Sequence, residues 1–184
     1  MIYPHWRYFV ILDSDLDIAS RYVEITKDNY KTYSIEFVHI LLAACSEIDV
    51  VAKIISKNLD SSKDYENIND CRVVITKEYP KLPTMKITVP RYEVELLSWS
   101  EWKREKTPAW WKSYNQVKHN RDISFKQANL ENVLDSLAGL FVLTYYLYRK
   151  DFGRNQPIWP KVLSVEERFI DGARWGVQYR TPDD

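Results

Sequence analysis

Only four glycines occur among the 184 residues, and this scarcity limits the chain more than any other feature. They are Gly139, Gly153, Gly172 and Gly176, and their spacing forms none of the glycine-rich loops that hold nucleotide phosphates. The glycine-flanked serine of the α/β-hydrolase nucleophile elbow is absent too. P-loop NTPases, Rossmann dehydrogenases and α/β-hydrolases are therefore excluded.

The charge balance points to a local rather than a global binding surface. Lys and Arg number 26, as do Asp and Glu, so the net charge is zero and no overall field attracts nucleic acid or membrane. The length and the 45% apolar content predict one globular domain over residues 1–184. Cys45 and Cys71 lie in apolar stretches, which favours a reducing compartment.

No segment has the pattern of a membrane or secretory sequence. The longest apolar run, near residues 137–148, is interrupted by Thr144 and falls short of the roughly 20 residues that cross a bilayer. The first residues lack the shape of a signal peptide. We therefore expect a soluble, cytoplasmic protein with no membrane association.

Apolar periodicity predicts five helices, and the second has the most regular stripe. Capping boxes that begin at Ser14 and Ser124 predict the starts of the first and last helices. Thr107 before Pro108 predicts the start of the fourth. The predicted ranges are about 14–30, 34–58, 64–78, 108–121 and 125–150.

Two segments alternate apolar and polar residues as strands do. Residues 85–97 predict a β-hairpin. Residues 162–180 predict a second β element with its turn at Asp171-Gly172, although Ser164 could instead cap a short helix. The expected fold is mainly α: an antiparallel bundle of about five helices with a small hairpin insertion and a C-terminal β element.

The segment 103–121 concentrates positive charge beside aromatic rings. Glu105 is its only acidic residue, and Trp110, Trp111 and Tyr114 lie within it. Its cations are Lys103, Arg104, Lys106, Lys112, Lys118 and Arg121. Cations that hold phosphates and rings that stack on bases favour RNA binding. The alternative is a solvated basic face with the tryptophans in the core.

The predicted fourth helix brings a histidine to the same face as an amide. Asn115, Lys118 and His119 are three and four residues apart, so they share one face. An imidazole beside cations can transfer a proton while the cations hold phosphate. The candidate catalytic residues are His119 and Asn115, and the candidate substrate-binding residues are Lys118, Arg121, Lys112, Trp111 and Tyr114. The alternative is a structural histidine.

Metal-dependent chemistry is not expected. His5, His39 and His119 show no ligand spacing with one another or with the two cysteines. We therefore predict no metal site and no cofactor.

From Tyr114 through Asn115 to His119, ahead of a long apolar helix, the sequence resembles the HEPN superfamily. The HEPN motif has an Arg, usually followed by a polar residue such as Asn, and then a His four to six residues after the Arg. Asn115 and His119 match it, whereas Tyr114 occupies the Arg position. The resemblance covers residues 14–78 and 107–150 and leaves both predicted β elements outside it.

HEPN proteins are small helical bundles of toxin–antitoxin and phage-defence systems, and active members are metal-independent endoribonucleases. The resemblance therefore implies RNA as the substrate, a homodimer with two copies of His119 at one strand, and an antitoxin or defence partner protein. In such an enzyme His119 is the acid or base, and Asn115 orients it or the phosphate. Lys118 and Arg121 neutralise charge.

The tyrosine in the Arg position leaves the activity open, because it cannot present the bidentate fork of a guanidinium. One function is an endoribonuclease toxin or antiviral effector that cleaves RNA by attack of the 2′-hydroxyl. The alternative is a catalytically silent binding module of the same systems. A third alternative is an accidental match in a plain helical protein.

Overall fold

The computed structural model describes residues 3–152, 157–165, 170–173 and 176–183, and this part is mainly helical. Its six α-helices and small antiparallel sheet confirm the predicted fold class. The helices are α1 (Pro4–Ala19), α2 (Ile35–Leu59), α3 (Ile68–Glu78), α4 (Ala109–His119), α5 (Arg121–Ser124) and α6 (Leu130–Phe152). No helix in the described part is long and apolar enough to cross a membrane.

The centre of the bundle is the pair formed by α2 and α6, which contact each other more extensively than any other two elements. Residues 34–58 were predicted to be helical, and α2 confirms this within a residue at each end. Its N-cap is Ser34, whose hydroxyl accepts a hydrogen bond from the Phe37 N–H at 3.1 Å. Leu41, Ile48 and Val51 of its apolar stripe are fully buried, as the helical period predicts.

The predicted bounds of the first helix, 14–30, are wrong. α1 begins at Pro4, where a proline suits the first turn, and ends at Ala19. Ser14 is not a cap, because its hydroxyl donates to the Val10 carbonyl one turn back. The buried residues Trp6 and Phe9 extend the apolar face towards the N-terminus, and these were outside the predicted helix.

The third and fifth predicted helices begin too early. α3 starts at Ile68 rather than at residue 64, because the Asn67 side chain accepts from the Asn69 and Asp70 N–H groups. α6 starts at Leu130 rather than at residue 125. Here Asn129 accepts from the Asn132 N–H, so the predicted capping box at Ser124 is wrong.

The fourth predicted helix, 108–121, is two elements. α4 ends at His119, and residues 121–124 form the separate short helix α5. Thr107 does not cap α4, since its hydroxyl donates to the Asn69 side chain at 3.0 Å. Instead, the Ala109 N–H, which is the first of the helix, donates to the Glu101 carboxylate at 2.6 Å.

The predicted hairpin over 85–97 is confirmed by β1 (Ile87–Val89) and β2 (Val94–Leu96). They pair antiparallel, and a 3₁₀ turn at Pro90–Tyr92 joins them. A third strand, β3 (Ser164–Val165), pairs antiparallel with the other side of β1. Ser164 therefore lies in a strand and does not cap a helix.

The C-terminal β element is divided between two sheets. β4 (Ile170–Ala173) and β5 (Gly176–Tyr179) form an antiparallel hairpin, as predicted, but β3 belongs to the other sheet. The last pair of this hairpin is Ala173 with Gly176. The predicted turn at Asp171-Gly172 is wrong, because both residues lie within β4. Residues 166–169 and 174–175, also in the predicted element, lie outside the described residues.

Candidate functional site

A cluster of aromatic rings holds α4 against the bundle. The ring centroids of Trp99 and Trp102 are 4.1 Å apart, and those of Trp99 and Trp110 are 5.1 Å apart. Trp111 continues the cluster, and its centroid is 5.2 Å from that of Tyr114. Trp111 is only 8% exposed and Tyr114 only 6%, so these rings contribute to the core and do not form a free stacking surface.

Hydrogen bonds and a close approach to α6 fix the position of this cluster. The Trp99 indole donates to the Gly139 carbonyl at 3.0 Å, and the Trp110 indole donates to the Ser98 carbonyl at 2.9 Å. A Cβ on Gly139 would lie 3.1 Å from the Trp110 ring, which is tighter than ordinary contact. A glycine at this position therefore allows α4 to approach α6 closely.

A cleft of about 560 Å³ opens between α2, α3 and α4, and we call it the α2–α4 cleft. Four of the predicted site residues line it: Trp111, Tyr114, Asn115 and Lys118. The structure therefore brings together four of the seven candidates.

The polar groups of Asn115 and Lys118 have neighbours within α4. The Asn115 amide donates to the Trp111 carbonyl at 3.0 Å. The Lys118 ammonium lies 5.6 Å from the centroid of the Tyr114 ring, in the range of a cation–π contact. Lys118 is exposed, so its charge remains accessible from solvent.

His119, Arg121 and Lys112 do not line the cleft. His119 is exposed at the C-terminal end of α4 and has no hydrogen-bond or ion-pair partner among the described residues. Arg121 and Lys112 are exposed as well. The structure thus divides the predicted site into a group inside the cleft and a group on the outer surface of α4 and α5.

The cations of segment 103–121 are available for binding. All six are exposed, and none pairs with a carboxylate in the described part of the chain. Glu105 is the only acidic residue among them. This local excess of unpaired positive charge occurs in a chain with zero net charge.

The cleft also contains polar residues that the predicted site did not include. Asp49 and Lys53 of α2 form an ion pair at 2.7 Å on one wall. Asn67 and Asn69, at the start of α3, line the opposite side. The Asn67–Asp70 capping box was a visible signal for that end of α3. Its place beside α4 depends on tertiary packing.

Two further features bear on chemistry. Within the described residues, no group of three or more His, Cys, Asp and Glu side chains is arranged to hold a metal ion. Cys45 and Cys71 are buried free thiols, and burial raises the pKa of both.

Comparisons with protein-family models, with curated proteins and with solved structures find no match to this chain. A functional assignment therefore depends on the chain's own residues and their geometry.

Proposed function

We propose that the protein is a HEPN-like module that binds single-stranded RNA through the phosphate backbone. The observation that carries this proposal is the set of six exposed, unpaired cations in segment 103–121. Such cations release counterions when they neutralise phosphates, and this supplies sequence-independent affinity. As the resemblance implies, the module would belong to a toxin–antitoxin or defence system and would have a partner protein there.

Tyr114 favours binding without cleavage. It occupies the position of the motif Arg, and its ring is buried in the tryptophan cluster. A phenol has a single hydroxyl and cannot hold a phosphate with the two parallel donors of a guanidinium. Transition-state charge would therefore have to be neutralised by Lys118 or Arg121.

The exposure of His119 favours a second candidate, a metal-independent endoribonuclease. An exposed imidazole can take the proton of a ribose 2′-hydroxyl, whose oxygen then attacks the adjacent phosphorus. The 5′-oxygen leaves with a proton from an acid, so the products are a 2′,3′-cyclic phosphate and a 5′-hydroxyl. One chain offers a single such histidine at this surface, and a second copy would supply the other.

The test of binding uses a labelled single-stranded RNA, with chelator present, in a titration at several salt concentrations. The triple variant Lys112→Gln, Lys118→Gln, Arg121→Gln should bind more weakly, because three exposed cations are lost. The slope of log K against log salt should fall by roughly 2, at about 0.7 per lost phosphate contact. The matched control is Arg21→Gln, Lys27→Gln, Lys81→Gln, which changes the net charge equally at exposed positions elsewhere.

Equal losses in the two triple variants would contradict the proposed surface. Cleavage is read from the same mixtures by the ends of the products. If the second candidate is correct, the wild-type protein cuts RNA but not the all-deoxy strand, and His119→Ala binds normally without cutting. If RNA binds and no products form at any protein concentration, the endoribonuclease is excluded and the catalytically silent binding module remains.

A further inference from the structure

A second cavity, of about 400 Å³, lies between α3 and the 3₁₀ turn Ser100–Arg104. It shares no residue with the α2–α4 cleft. Its volume falls within the roughly 300–1,000 Å³ typical of small-molecule sites. The buried Trp102 forms one side, and exposed residues form the rim. The lining residues are Arg72, Val73, Thr76, Lys77, Trp102 and Glu105.

The cavity is lined by two side chains whose hydrogen-bond donors are buried and unpaired. The Nε and Nη1 atoms of Arg72 are out of solvent and have no hydrogen-bond partner in the described part of the chain. The Nε1 atom of Trp102 is in the same state. Folded proteins pair the great majority of such donors, and a buried donor that stays unpaired is costly. A bound acceptor would remove this cost.

The lining selects for a negatively charged acceptor. Arginine, lysine and the indole N–H are donors only, so they cannot satisfy one another. Arg72 and Lys77 carry two positive charges against the one negative charge of Glu105. Neither cation forms an ion pair with Glu105 or with any other described carboxylate.

We propose that this cavity binds a phosphoryl group, with Arg72, Trp102 and Lys77 as its donors. A phosphoryl group offers three acceptor oxygens and between about one and two negative charges, which match donors on three different side chains and the excess of positive charge in the lining. The site is independent of the RNA-binding proposal, because none of its residues belongs to the three cations tested there.

Glu105 sets the affinity of the site from the rim. It is one of the lining residues, and its backbone has a φ of 56°, in the left-handed region that non-glycine residues seldom adopt. A carboxylate here opposes an incoming anion. Glu105→Gln should therefore bind phosphate more tightly than the wild type.

The experiment follows the N–H signals of the Trp102 indole and the Arg72 guanidinium by ¹H–¹⁵N NMR during a phosphate titration. Trp102→Phe assigns the indole signal and retains an aromatic ring. Both signals should shift saturably with phosphate and not with chloride at equal ionic strength. Two further comparisons show which source of the phosphoryl group is preferred. The first titrates a nucleoside monophosphate, and the second compares RNA that has a 5′-phosphate with RNA that has a 5′-hydroxyl.

The variants decide the outcome. Arg72→Gln should weaken phosphate binding by about tenfold or more, as expected for the loss of a charged hydrogen-bond donor. Glu105→Gln should strengthen it, and Lys27→Gln, at an exposed position outside both the cavity and the RNA-binding segment, should leave it unchanged. Thermal unfolding of each variant checks that the fold is retained. The proposal is overturned if phosphate does not shift the Trp102 and Arg72 signals, or if chloride shifts them equally. It is also overturned if a folded Arg72→Gln protein binds phosphate with wild-type affinity.

Discussion

Asp135 is a partly buried carboxylate on α6 that faces other acids. The Ser98 hydroxyl donates to it at 3.1 Å, but no cation pairs with it among the described residues. Burial raises the pKa of this carboxyl to about 6, and the negative charges of Glu131 and Glu101 contribute to the rise. At neutral pH the folded protein therefore holds an unfavourable charge at this position.

Asp135→Asn should stabilise the protein at neutral pH. The folded state binds the Asp135 proton more tightly than the unfolded chain, so the free energy of unfolding falls as pH rises from about 4 to 6. The amide removes this loss and keeps an oxygen for Ser98. We expect a gain on the order of 2 kcal/mol above about pH 7, or roughly 4–8 °C in Tm.

Thermal unfolding over a range of pH measures this difference. The gain should shrink below about pH 4, where the wild-type carboxyl is protonated in both states. Asp122→Asn, at an exposed position, is the control and should have little effect. A gain of equal size at acidic and neutral pH would show that charge is not its cause.

For individual residues, the sequence indicated which side chains could bind or transfer a proton, but not which of them lie together in the folded protein. Helical spacing placed Asn115, Lys118 and His119 on one face, and all three are at least partly accessible. Asn115 and Lys118 line the α2–α4 cleft, whereas His119 lies outside it. Cleft walls come from α2 and α3, and the periodicity of α4 contains no information about them.

Among the secondary-structure elements, α1 and the segment before β3 are joined by one buried carboxylate. Asp13 is fully buried on α1 and accepts hydrogen bonds from the backbone N–H groups of Lys161, Val162 and Leu163, at 2.5 to 3.3 Å. These donors satisfy a side chain that would otherwise be costly to bury. The interaction links residues almost 150 positions apart.

Asp13→Ala should destabilise the protein by about 3 kcal/mol, because it leaves three backbone donors without their acceptor. Urea unfolding measures the loss. Hydrogen exchange of the Val162 and Leu163 amides should accelerate more than exchange in α2. Asp17→Ala on the same helix is the control, and a similar loss there would attribute the effect to the helix and not to the three bonds.

The starts of α1, α3 and α6 show why boundaries are harder to predict than elements. A serine, an acid or an amide can cap a helix when a polar partner follows at the right spacing. Ser14 and Ser124 have such a partner in the sequence, but neither caps a helix in the structure. The Leu130 N–H donates to the Thr32 carbonyl at 2.9 Å, so a distant connection helps to set where α6 begins. Such a contact has no local signature.

Over the whole molecule, the cleavage candidate requires two chains to meet near His119. Ile123, on α5 beside this residue, is 82% exposed, which is unusual for a large apolar side chain. In the HEPN-like arrangement a second copy of the chain would cover it. Ile11, on α1, is 61% exposed and provides a matched apolar position on another helix.

Sedimentation should therefore give about twice 21.9 kDa for the wild-type protein. Ile123→Asp should shift it towards the monomer, because a charge in an apolar contact is costly to bury. Ile11→Asp should leave the dimer intact. If the wild-type protein sediments as a monomer at every concentration, a site shared between two copies of His119 is excluded. The catalytically silent binding module is then the function that remains.

The sequence by itself determined the mainly helical fold, the position of α2, the β1–β2 hairpin and the concentration of cations in segment 103–121. Each of these features depends on residues that are close together in the chain, within a turn or a strand of one another. A local pattern in the sequence therefore predicts it. Tertiary structure alone decided that Trp111 and Tyr114 are buried, that His119 lies outside the cleft, and that Arg72 and Trp102 line one cavity with unpaired donors. These outcomes depend on which distant surfaces exclude water together, and no local period encodes that.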